Sequence, residues 1–165
     1  MNILKNRMNV LKLMMLLLVL PLMTMQAQTD ETAAPRLQKS QAQFVNVPKE
    51  LPTRVEKFFS ILHENSVQKA FDALLEGSLL KNREEQVAKL VEQTKQAIVL
   101  YGKSENGEPV SSEVASPSLI RLRYIGLNQN FPMRWIFTFY NSPRFGWVVV
   151  NVKLDDMSEY FFTDE

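Results

Sequence analysis

Apolar positions across residues 51–98 recur every three or four residues, and after Tyr101 they alternate with polar ones. The first rhythm predicts helices and the second predicts strands. Leu51, Val55, Phe58, Phe59 and Leu62 fall on one face of a first helix. Pro52 sits in its first turn, where a missing N–H has no intrahelical partner. Asn65 with Gln68 has capping-box spacing and opens a second helix, with Val67, Ala70, Phe71, Leu74 and Leu75 inward and Gly77 as its stop. Asn82 with Glu85 repeats that spacing before a third helix, with Val87, Leu90, Val91, Thr94 and Ile98 inward. Leu79-Leu80, between the last two, predicts a very short strand.

Asn106-Gly107 marks a turn, and residues 110–114 follow as a strand. Residues 119–127 form a second strand. In the third, Met133, Trp135, Phe137 and Phe139 alternate with Arg134, Ile136, Thr138 and Tyr140. In the fourth, residues 147–154, Val148, Val150, Val152 and Leu154 alternate with Trp147, Val149, Asn151 and Lys153. Polar loops between the last three predict an antiparallel meander. Residues 155–165 are acidic, and Tyr160-Phe161-Phe162 gives them something to bury.

The opening residues read as an address. Lys5, Arg7 and Lys12 precede an uncharged apolar run over residues 13–25, and Ala27 offers a small residue for cleavage. The run is shorter than the roughly 20 residues of a membrane-spanning helix. A cleaved signal peptide at 1–27 is therefore expected, with a membrane tether as the alternative if it is retained. Residues 28–46 are polar, carry Pro35 and read as a flexible leader. Residues 47–165 are left as a single domain. The chain has no cysteine, so neither disulfides nor a lipidated cysteine anchor is available, and the expected location is a bacterial periplasm or the exterior. Without the signal peptide's basic residues the formal +1 charge becomes mildly acidic, which argues against nucleic acid as a partner.

Helices followed by a meander predict an α+β domain: three N-terminal helices packed on a curved antiparallel sheet, after a cleaved signal peptide. Phe58-Phe59, the run from Ala70 to Leu75, the helix over residues 84–98 and the strands around Trp135 and Trp147 carry a resemblance. In that order they resemble the cystatin-like, nuclear-transport-factor-two-like cone. The resemblance implies a cone-like sheet, pairing through its outer face in many members, and isomerases or dehydratases among others. No residue here matches their catalytic motifs.

Candidate chemistry is sparse. His63 is the only histidine; near a helix C-terminus it reads as structural. Without cysteine and with one histidine, a transition-metal site of the usual kind is not expected. Asp155, Asp156 and Glu159 read as a solvated acidic end. No cofactor and no catalytic residue are assigned. Two surfaces remain. Tyr101, Tyr124, Trp135 and Phe139 would line an apolar pocket if the cone is open. Arg134, Ile136, Tyr140, Trp147 and Val149 would form an outer face with the composition of an interface, unless residues 160–162 fold back over it. The expectation is a non-enzymatic exported domain that binds another exported protein or forms a homodimer through its sheet. A small-molecule binder, or a lyase or isomerase using the cone, is the alternative.

Overall fold

The computed structural model describes Phe44 and residues 46–162. Three α-helices come first: α1 (Glu50–His63), α2 (Val67–Leu74) and α3 (Glu84–Tyr101), with a 3-10 turn over Leu79–Asn82 between the last two. Four antiparallel strands follow, β1 (Ser104–Ser116), β2 (Leu119–Asn128), β3 (Met133–Ser142) and β4 (Gly146–Asp155), in sheet order β1-β2-β3-β4. A second 3-10 turn, Ser158–Phe161, follows β4.

The sequence-based class, helices packed on a cone-like sheet behind a cleaved signal, is corrected by this arrangement. The described residues form an α+β unit with four strands in the meander instead of three, and with unpaired edges at β1 and β4. The helices are not laid side by side on the sheet. α1 packs on β1, α2 packs on α1, and α3 packs on α2 and the first 3-10 turn. No hollow cone separates these layers, because aromatic side chains fill the space. The expected signal at 1–27 lies outside the described residues. So does most of the expected leader at 28–46, although Phe44 at its end packs its ring 5.7 Å from that of Tyr124.

Helical spacing placed the core correctly. Leu51, Val55, Phe58, Phe59 and Leu62 are all buried on α1, and Val67, Ala70, Phe71 and Leu74 on α2. The caps differ. Asn65 takes a left-handed φ of 58° and α2 begins after Ser66, while Gln68 donates to Asp72 one turn on. Asn82 belongs to the 3-10 turn, so Arg83 precedes α3. The strand expected at Leu79-Leu80 is that 3-10 turn. Ser78 organises it: its hydroxyl accepts from the Leu80 N–H and donates to the Val149 carbonyl on the edge strand β4. Ser78→Ala is expected to cost about 1–2 kcal/mol, since both a cap and a buried carbonyl's partner are lost. Urea denaturation checks it, with Ser66→Ala, which loses no side-chain cap bond, as the contrast.

Asn106-Gly107 does not turn. It lies inside the 13-residue β1, where Gly107 pairs with Gly126 of β2. A Cβ on Gly107 would fall 2.2 Å from the Phe59 ring, so the glycine serves close helix–sheet approach.

β4 carries the change with the largest effect on the surface. Thr138 pairs with Asn151 but Phe139 pairs with Val149, which leaves Val150 as an extra, unpaired residue. Such a bulge reverses the in–out alternation on one side of itself. Val152 and Leu154 face the core as expected. Before the bulge the faces exchange: Val149 is fully buried in the core and Trp147 packs against it, while Val148 pairs with the outward Tyr140.

Candidate functional site

The inner face is sealed. Tyr124, Trp135 and Phe139 are at most 2% exposed. The Phe58 ring lies 5.2 Å from both Phe71 and Trp135 and 5.7 Å from Phe137, and Trp135 stacks on Phe137 at 5.9 Å. Three of the four residues expected to line a pocket are thus core. The fourth, Tyr101, packs at the margin of that core at the end of α3, with its ring 5.4 Å from Phe131 and its hydroxyl donating to Asp156. That hydrogen bond and the Asp156 charge hold the Tyr101 phenol above its usual pKa.

Tyr124 ends in a buried hydroxyl with no hydrogen-bond partner among the described residues. Its desolvation, with the nearby Glu56 charge, pushes the phenol well above the ordinary value of 10.0. Tyr124→Phe removes an unsatisfied polar atom and is expected to stabilise the fold by about 1 kcal/mol. The wild type should also weaken in alkali. Above pH 10 the unfolded chain releases this proton while the folded chain retains it, so stability present in full below that pH falls by about 1.4 kcal/mol per pH unit from this group. Denaturation curves at rising pH should show a shallower decline for the phenylalanine variant.

His63 stands where a structural residue would. Its Nδ1 lies 3.1 Å from the Ser104 carbonyl and 3.6 Å from a Glu105 carboxylate oxygen, tying the end of α1 to the start of β1. Among the described residues, no three His, Cys, Asp or Glu side chains gather as a metal site. The acidic end is engaged: Asp155 pairs with Arg134, and Asp156 accepts from Tyr101.

The outer face is a different surface. Across β2 and β3, Leu119 opposes Tyr140, Arg121 opposes Thr138, Arg123 opposes Ile136 and Ile125 opposes Arg134. On β1, Glu113 accepts from Arg121 at 3.0 Å and from Arg123 at 3.5 Å. Arg134 is 7% exposed. Its guanidinium grips Asp155 through two bonds of 2.9 and 2.8 Å, and the Tyr160 ring lies 4.6 Å from it. The segment after β4 thus folds back over one end of this face. The other end stays uncovered, with Leu119 37% and Tyr140 39% exposed.

Of the five residues expected on the interface, the structure keeps Arg134, Ile136 and Tyr140 on the outer face. It moves Trp147 and Val149 to the inner one, because of the bulge at Val150. In their place it adds a groove that the sequence did not disclose. Leu79, Arg83, Tyr140, Phe145, Val148 and Val150 line a depression of about 240 Å³ between the first 3-10 turn and the β3–β4 hairpin. Leu79 (67%), Phe145 (48%) and Val150 (42%) are exposed there. Phe145, an aromatic residue in the polar loop between β3 and β4, was the one sequence signal for it. A second depression, near Lys69, Lys95 and Val99, lies between α2 and α3.

No family model matches the chain, and no curated protein or solved structure matches it.

Proposed function

We propose that this chain is a non-enzymatic exported binding domain that works through the outer face of its sheet, its partner being a second copy or another exported protein. The observation that carries this is the uncovered end of that face. Leu119 and Tyr140 are register partners, each more than a third exposed, and the bulge residue Val150 shares a groove with Tyr140. Apolar and aromatic side chains beside arginine, on a strand face where solvated sheets carry polar residues, have the composition of a recognition surface. The packed inner face supports the same reading: Tyr124, Trp135 and Phe139, which a cone cavity would open to a substrate, lie in the core against the helices.

Export is supported by the basic start and the apolar run over residues 13–25. Terminal sequencing of the protein recovered from the exported fraction of a bacterial host should begin near Gln28; a start at Met1 removes this part.

The surface is tested by light scattering of the exported protein across a dilution series, beside Leu119→Ser with Tyr140→Ser. A concentration-dependent dimer that the folded variant cannot form supports self-association. A monomeric wild type moves the search to cross-linking among co-exported proteins with the same variant as control. An adduct pattern unchanged by the variant then overturns the reading.

A further inference from the structure

The groove and the segment after β4 have complementary chemistry. The groove is apolar, Arg83 lines it, and the Arg144 guanidinium lies 5.0 Å from the centre of the Phe145 ring at its rim. No acidic side chain is in the lining; Glu84 and Glu85 start α3 beyond Arg83. Residues 155–165 carry Asp155, Asp156, Glu159, Asp164 and Glu165, with no lysine or arginine, around Tyr160-Phe161-Phe162. The turn Ser158–Phe161 buries none of its residues, and Phe162 is 91% exposed. A phenylalanine presented so fully to water, within an acidic stretch, is a ligand-like tip that no described residue covers.

Reach excludes the chain's own groove. Tyr160 is held over Arg134 at the start of β3, whereas the groove is built on Tyr140 at its end. Six residues of strand separate those points by about 20 Å. Phe162, two residues past Tyr160, extends about 7 Å from it. Phe162 therefore cannot enter the groove of its own chain.

We propose that the groove formed by Leu79, Arg83, Tyr140, Phe145, Val148 and Val150 receives the acidic aromatic tip around Phe162 of a second copy of this chain. This rests on the reading of the outer face as a binding surface and names its occupant. The Phe162 ring fills the apolar floor, and carboxylates beside it meet Arg83 and Arg144. A two-fold axis makes the exchange mutual, so each copy gives one tip and one groove, and each contact strengthens the other. Tyr160 keeps its place on Arg134, and nothing in the fold has to open.

Sedimentation of the full exported chain tests it. The wild type should dimerise. Phe162→Ser removes a side chain that supports no packing, and should weaken the dimer about a hundredfold, since both contacts are lost together. Arg83→Glu with Phe145→Ser, both on the surface, should do the same while thermal melting stays cooperative; should that pair misfold, Arg83→Glu alone keeps the groove arm. Mixing the tip variant with the groove variant should restore a weaker heterodimer, because one sound tip then meets one sound groove. A dimer indifferent to Phe162→Ser, or a mixture that stays monomeric, overturns the proposal. If Leu119→Ser with Tyr140→Ser still disrupts that dimer, the outer-face reading survives on its own. A wild type that remains monomeric up to roughly 100 µM overturns the tip exchange and leaves the surface for a foreign partner.

Discussion

Phe58→Ala should lower the unfolding free energy by about 3–5 kcal/mol, the range found when a fully buried ring is truncated and its site cannot collapse. The site here has little freedom to collapse. Phe58 is completely buried, and its ring meets those of Phe59, Phe71, Trp135 and Phe137 at 5.2 to 5.7 Å. It joins α1 to α2 on one side and to the middle of β3 on the other. Edge-to-face geometry adds to the area term for each of those pairs. A domain of this size has a total stability of about 5–15 kcal/mol, so the variant should be marginal. Guanidinium denaturation reads the effect, and Phe58→Leu, which keeps most of the volume, should recover more than half of it. A loss below about 1 kcal/mol for the alanine would mean that the cluster is loosely packed.

Gly107→Ala should be comparably severe, from the opposite cause. The added Cβ would lie 2.2, 2.3 and 2.6 Å from three carbons of the Phe59 ring. That ring cannot retreat, because Phe59 is 1% exposed and in ring contact with Phe58, Tyr124, Trp135 and Phe137. Helix α1 would have to move off β1, at a cost of about 3 kcal/mol or more. The combination with Phe59→Leu separates this from any effect on strand propensity. A smaller side chain makes room, so the double variant should lose less stability than the two single losses summed. Strict additivity would show that the ring is not what the methyl group meets.

The helices were legible because each buries one stripe, and a stripe leaves a spacing of three and four in the sequence. The alternation in β2 and β3 was legible for the same kind of reason. β1 was largely not. Ser104, Glu105, Asn106, Gly107, Glu108 and Pro109 have the composition of a loop, yet pairing with β2 and the approach of Phe59 make the stretch a strand. Edge strands tolerate proline and charge, so composition understates them. The capping-box spacings at Asn65 and Asn82 were real but unused, since Ser66 and Arg83 precede the helices instead. For the surface, Arg134, Ile136 and Tyr140 were readable from period alone. Trp147 and Val149 were not, because Val150 looks like any other valine in an apolar run, and only pairing against Thr138 and Phe139 shows it to be extra.

That extra residue sets a rule on length. Between Gly146 and Asp155, β4 is one residue longer than a regular partner for β3 would be. Substituting side chains along it leaves that count alone. Deleting Val150 removes the excess and leaves Asn151, Val149, Val148 and Trp147 facing Thr138, Phe139, Tyr140 and Asn141 without a break. Trp147 and Val149 would keep their inward places, Val148 would stay opposite Tyr140, and what would go is the Val150 side chain together with the kink it puts in the edge strand. A one-residue deletion would do what no single replacement can: turn the hairpin end into a regular ladder, and so flatten an edge strand whose bulge hinders pairing with other chains.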